Sequence, residues 1–179
     1  MADGTTRTTT SLTDITPGHW VLDPARSMIQ LQHKTMWGLV TVKGSFTKVR
    51  GEGEVAPGGT ASGTLVLDAT SLDTGHTKRD AHLRSVDFFD TAEHPEIVFA
   101  AQAVQTEGSG SVEVLGDLTV LGVTRPLTFV AQADAASADA VTLSAELVID
   151  RADFGMTWNK AGMLQGLTTI TLDVRFSHA

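Results

Sequence analysis

Cysteine is absent from the 179 residues, which excludes disulfides, thiolate metal sites and thiol nucleophiles together. Positive charge is scarce: 13 Lys and Arg face 21 Asp and Glu, for a net charge of −8. A protein that tracks phosphates needs a basic face. The nearest approach to one, Lys43, Lys48 and Arg50, is diluted by Glu52 and Glu54. Nucleic acid is therefore not an expected partner. Long hydrophobic runs are missing too, and the chain falls far short of the ~20 apolar residues of a membrane-spanning helix. Residues 1–16 have neither the basic start nor the apolar stretch of a secretory signal. They read as a flexible polar tail ahead of one domain over residues 17–179, with a cytoplasmic location expected. At this length about 70% of the unfolded chain's surface can be buried, enough for one core without staples.

What is present, from Trp20 onward, is alternation with period two. Ile170, Leu172, Val174 and Phe176 alternate with Thr171, Asp173 and Arg175. Val141, Leu143, Ala145 and Leu147 repeat the pattern, as do Leu127, Phe129 and Ala131, Ile97, Phe99 and Ala101, and Ile29, Leu31 and His33. Val112, Val114 and Leu118 form another run that Gly116 breaks. Strands with one wet and one dry face are antiparallel strands. Turn residues separate them at Ala56–Gly59, Glu107–Gly110 and Ala135–Asp139. About eight strands result, enough for a barrel or a sandwich, and the glycines within strands favour the bends of a barrel.

Residues 74–85 lack the alternation. His76 to Arg84 contains Lys, Arg, Ala and Leu, which suit a short helix between strands, with Asp73 or Thr74 as its cap. Arg79 and Asp80 either occupy a solvated face or fold back onto open backbone groups at the barrel rim. Phe88 and Phe89 follow on a loop, where at least one must pack inward or line a cavity.

Catalytic patterns are absent. No two-histidine metal signature, nucleophile elbow or phosphate-cradling glycine loop occurs. His76 and His82 point to different helix faces, and His33, on the inward phase, reads as a core histidine with a local partner. No metal, no cofactor and no catalytic residue is expected, so the chain does not read as an enzyme. What remains is apolar surface. An eight-stranded barrel is either filled by its side chains or holds one ligand. The inward set Ile29, Leu31, Leu65, Leu67, Phe99, Leu118, Leu127, Phe129, Leu147 and Leu172 is interrupted by Ala101, Gly116, Ala131 and Ala145. Those small residues, the Phe88–Phe89 pair and the segment Phe154, Met156, Trp158 and Met163 favour a cavity.

Several segments together resemble the YceI-like family of lipocalin-like, polyisoprenoid-binding proteins. They are Trp20–Ser27, Gly44–Phe46, and above all Arg79-Asp80-Ala81-His82-Leu83-Arg84-Ser85-Val86-Asp87-Phe88-Phe89-Asp90 with His94-Pro95. Gly116–Pro126 and Ile149-Asp150-Arg151-Ala152-Asp153-Phe154-Gly155 continue the match, which spans nearly the whole chain. The resemblance implies an all-β, extended antiparallel eight-stranded lipocalin-like barrel with a short helix between strands. It also implies an elongated cavity for an isoprenoid, an isoprenoid quinone or a fatty-acyl chain.

On that reading the chain is a carrier or storage protein without catalysis. Phe88, Phe89, Phe99 and Trp37 line or gate the cavity, and Arg79, His82 or His33 meets a head group. The alternatives are a protein-interaction module with a filled core, and an enzyme using His82 or His33. A mouth rimmed by Phe88, Phe89, Trp158 and Met163 is a surface that a second copy would cover in a homodimer.

Overall fold

Among the described residues the alternating runs become eleven strand segments, and three aspartates mark where several of them stop. The computed structural model describes residues 12–108 and 110–179. Its strands are β1 (Gly18–Leu22), β2 (Met28–Thr35), β3 (Val40–Phe46), β4 (Val49–Val55), β5 (Ala61–Asp68) and β6 (Leu72–Asp73). After helix α1 (Thr77–Leu83) come β7 (Glu96–Thr106), β8 (Ser111–Val120), β9 (Val123–Ser137), β10 (Ala140–Asp150) and β11 (Leu167–His178). Asp23, Asp68 and Asp150 each accept the backbone N–H two residues on, and each turns its strand into a 3-10 turn.

The eleven segments make eight strands, because β1 and β2, β3 and β4, and β5 and β6 are bent pairs. All ladders are antiparallel, and β11 closes the ring by pairing with β2 through Thr168–Asp173 and with β1 through Phe176–His178. At the β1–β2 bend, Ser27 Oγ donates to the Asp23 carbonyl and accepts the Arg175 N–H, tying the corner to β11. The architecture is the all-β antiparallel barrel expected. The ladder between β9 and β10 is short: it runs from Ala140–Ser137 to Ser144–Gln132, and above it, among the described residues, the two strands carry no further pairing. The 3-10 turn Arg151–Phe154 lies in that gap, where Arg125 Nε donates to the Asp153 carbonyl at 3.0 Å.

Strand β8 corrects one sequence expectation. Gly116 does not break the run: burial alternates along the whole of Ser111–Val120, with Gly116 on the inward phase. Strand β7 does change phase, at a bulge between Ala101 and Ala103, so that Val104 and Thr106 face inward beyond it.

The chain direction puts the β2–β3 turn, the α1 connection, the β8–β9 turn and the connection 151–166 at one end, here the upper end. In the β2–β3 turn Met36, Trp37 and Gly38 all have left-handed φ of 51°, 54° and 90°. Glycine adopts this freely, whereas each of the other two costs about 1–2 kcal/mol there. Helix α1 is shorter than the expected 74–85, and its cap is His76, whose Nδ1 accepts the Arg79 N–H at 3.3 Å. Of the two readings of Arg79 and Asp80, folding back onto the rim is the one observed. Asp80 is buried and accepts the Thr74 N–H and hydroxyl, while Arg79 donates to the Thr74 hydroxyl and carbonyl.

At the lower end, residues 12–16 of the segment expected as a tail pack on the barrel. Residues 1–11 lie outside the described residues, but Leu12–Asp14 form a 3-10 turn, and Leu12 and Ile15 pack against Trp20, Val55, Ala135 and Val141. Trp20 Nε1 donates to the Thr16 carbonyl at 2.9 Å. No helix among the described residues is long and apolar enough to cross a membrane.

Candidate functional site

Eight strands with one dry face each place their apolar residues inside the ring, and those residues do not fill it. A cavity of about 310 Å3 runs through the barrel. This overturns the filled-core alternative. Its extent is long: Leu12, Ile15 and Trp20 bound it at the lower end, and Arg151, Phe154, Met156 and Thr168 at the upper end. The wall is almost wholly apolar, with Glu52, Glu54 and Arg151 its charged members. Leu65, Leu67, Phe99, Leu127, Phe129, Leu147, Ile170 and Leu172 are only partly buried although they point inward, because the cavity is what they face. Phe99 and Phe129 stack at a tilt with centroids 5.7 Å apart, and Phe89 meets Phe46 edge-on at 6.2 Å.

Most of the expected ligand-contact residues come together on this wall. Ile29, Leu31, Leu65, Leu67, Phe89, Phe99, Leu118, Leu127, Phe129, Leu147, Phe154, Met156 and Leu172 all line it. Six do not. His82, Phe88 and Trp158 pack on one another outside the cavity, with ring centroids 4.7 Å apart for His82 and Trp158 and 5.0 Å for His82 and Phe88. His82 Nε2 is also 2.9 Å from Asp87 Oδ2, so its ring is committed to holding the α1 connection. Adjacent positions explain why Phe88 and Phe89 diverge: one packs into this cluster and the other into the barrel. Met163 lies in the connection 151–166, away from the wall, and its carbonyl accepts the Trp37 N–H at 3.2 Å. Trp37 projects into solvent at 62% exposure.

His33, the sixth, sits behind the wall. Its Nδ1 is 2.8 Å from the hydroxyl of Thr168, a cavity residue, and its Nε2 is buried without a hydrogen-bond partner. Burial, and then the nearby Arg151 charge, lower its pKa below the ordinary histidine value; the Gln165 backbone acts the other way with smaller effect. Arg151 donates from Nη1 to the Trp158 carbonyl at 2.8 Å, and burial lowers its own pKa against the opposing effect of Asp150. The two histidines considered as acid–base groups thus stand apart from each other and off the wall. Among the described residues no group of three or more His, Asp or Glu is placed to hold a metal ion.

Arg151, Thr168, Leu12, Ile15 and Trp20 were not anticipated as wall residues. Arg151 had a signal: it continues the odd-numbered inward phase of Val141, Leu143, Leu147 and Ile149. Leu12 and Ile15 had none, since two apolar residues in a Thr-rich segment define no period.

The comparisons with known proteins agree with this architecture. The family model described as the YceI-like domain matches residues 20–176. A UPF0312 protein of Vibrio cholerae is 38% identical over 97 residues, 53% of this chain and 51% of that protein. Protein YceI of Escherichia coli is 44% identical over 68 residues, 38% of this chain and 35% of that protein. The aligned part of the chain thus spans at most about half the length of these curated relatives. Among solved structures, BcnA of Burkholderia cenocepacia superposes with a TM-score of 0.78 at 22% identity, covering 86% of this chain and 98% of that one. A polyisoprenoid binding domain from Saccharophagus degradans gives 0.72 at 18% identity, over 89% and 98%. At these identities the structures speak for the fold, and the family match over residues 20–176 says the rest: the chain belongs to the YceI-like domain family.

Proposed function

We propose that this protein binds a long-chain apolar lipid, of isoprenoid, isoprenoid-quinone or fatty-acyl type, along the barrel axis, and that it carries or stores that lipid without chemistry. The observation that carries the reading is the elongated cavity with its apolar wall from Trp20 to Met156. Each methylene moved from water into such a wall contributes ~0.8 kcal/mol, so a dozen or so carbons outweigh the entropic cost of association. The polyisoprenoid binding of the Saccharophagus degradans domain, whose fold this barrel shares, supports the choice of ligand class. Arg151 and Thr168 are the polar groups on the upper wall, where they meet the polar end of a bound chain. Arg79 and His82 are occupied by Thr74 and Asp87 and are not part of this reading.

Native mass spectrometry of the purified protein, followed by organic extraction of whatever is released, tests the proposal. A bound species with a long apolar chain is the expected result. A protein that carries none and takes up neither added polyprenols nor fatty acids overturns it.

A further inference from the structure

The cavity wall is apolar along most of its length, and its charged members are separated by end. Glu52 and Glu54 stand toward the lower end, where their exposed carboxylates lie 3.8 Å and 2.9 Å from the His19 ring nitrogens. Arg151 is the charged wall residue of the upper end. The sheet fixes its place. Arg151 follows Asp150, the last residue of β10, and its N–H donates to the Gly166 carbonyl at 3.1 Å. Two residues past Gly166, Thr168 lines the cavity on the same phase of β11 as Ile170 and Leu172. A guanidinium and a hydroxyl thus share one corner of an otherwise apolar wall.

That guanidinium has no counter-ion. Asp150 precedes it on the outward phase of the strand, and its carboxylate accepts the Ala152 N–H. Arg151 makes no ion pair with any carboxylate among the described residues. Its Nη1 donates to the Trp158 carbonyl at 2.8 Å, while its Nε is buried without a hydrogen-bond partner. Buried donors are normally paired, so an unpaired one at a cavity wall calls for an acceptor that the occupant brings. The edge formed by Nε and Nη2 is one with which a guanidinium receives a carboxylate through two parallel bonds. The corner carries a single positive charge. His33 stands behind Thr168, with Nδ1 2.8 Å from its hydroxyl, and burial and the Arg151 charge lower its pKa, which leaves the ring neutral at neutral pH. Lys34 and Lys160 are exposed and do not line the cavity. A phosphate or diphosphate brings more charge and more acceptors than one guanidinium and one hydroxyl balance, whereas a carboxylate matches them.

We propose that the cargo is a long-chain carboxylic acid, whose carboxylate seats on the Nε–Nη2 edge of Arg151 beside the Thr168 hydroxyl while its chain runs down the barrel. The inference rests on the lipid-binding reading and narrows it from several head groups to one. A neutral head, alcohol or quinone, leaves the guanidinium without a counter-charge. The carboxylates of Glu52 and Glu54 oppose the reverse orientation, in which the acid would approach the lower end.

Equilibrium partitioning from methyl-β-cyclodextrin at about pH 8, where a carboxylic acid is ionised, tests the assignment. The probes are radiolabelled hexadecanoate and hexadecan-1-ol, which share a chain length and differ in the head. The parent is expected to hold the acid about tenfold more tightly than the alcohol, the range of one charge-assisted pair. Arg151→Gln is expected to remove this preference, weakening the acid about tenfold more than the alcohol. Thr168→Val is expected to reduce the preference by a smaller factor. A parent that binds both probes equally overturns the proposal without recourse to any variant, and leaves lipid binding intact. Arg151→Gln that weakens both probes alike also overturns it, since Arg151 then only ties the connection 151–166 through Trp158. Hexadecyl phosphate held about tenfold more tightly than hexadecanoate overturns the carboxylate assignment. Binding of neither probe strikes the lipid-binding reading itself, and the head-group assignment falls with it.

Discussion

The ring of Phe99 lies over Gly116 on the neighbouring strand so closely that a β-carbon on the glycine would stand 2.8 Å from Phe99 Cζ and 2.3 Å from the Ala100 carbonyl oxygen. Phe99 can spread across the wall because position 116 has no side chain. The glycine is therefore a packing requirement of the cavity wall.

Gly116→Ala is accordingly destabilising, although alanine usually favours an ordered backbone. The Ala100 carbonyl belongs to the β7–β8 ladder and cannot move aside without loss of pairing. A cost of about 1–3 kcal/mol is expected, which lowers the melting temperature by several degrees in a thermal unfolding scan. An unchanged melting temperature would mean that the two strands slide apart at no cost.

Leu147→Trp addresses the cavity without disturbing the ladders. Leu147 is inward-facing and partly accessible to the cavity, so a larger side chain there occupies volume that a bound chain would use. Displacing about two methylenes' worth of contact lowers lipid affinity about tenfold. The amount of lipid that co-purifies, measured by extraction and mass spectrometry, is the readout. Circular dichroism is expected to be that of the parent.

Asp80→Ala tests the upper rim. The buried carboxylate satisfies the Thr74 N–H and hydroxyl, and Thr74 in turn receives Arg79. Truncation leaves a buried N–H unpaired, for a cost of about 1–3 kcal/mol by denaturant unfolding. Asp80 contributes no wall atom, so lipid content per folded molecule stays unchanged.

His33 makes stability depend on pH. Its pKa is lower in the folded protein than the ordinary value near 6.5, so the unfolded chain binds the proton more readily. Its contribution is fully present above the unfolded value and is lost as pH falls toward the folded one. Between about pH 8 and about pH 5 the parent should lose more melting temperature than His33→Gln. Parallel curves would show that His33 titrates alike in both states.

Period-two alternation is a local property, and it carried a great deal. The strands, their inward phase and most of the wall from Ile29 to Leu172 follow from which side of each strand is apolar, a signature that a barrel and a sandwich share. Where a wall residue was missed just past a strand, as with Arg151 after β10, the phase of that strand already pointed to it. Gly116 misled because a missing side chain resembles a broken pattern, whereas its partner Phe99 on another strand supplies the surface.

The remainder is non-local. Whether a barrel is filled depends on the summed volumes of eight strands against the ring they close, and no single run contains that sum. Phe88 and Phe89 are indistinguishable in a loop until α1 and Trp158 offer one of them a partner and Phe46 offers the other. Leu12 and Ile15 gain meaning only when Trp20 and Val55 stand beside them. His33 and Thr168 lie far apart in the chain and meet because β2 pairs with β11. The sequence alone determined antiparallel strands with one apolar face each; the closing of the ring through β11 decided that they form a barrel, that it holds a cavity, and which side chains that cavity meets.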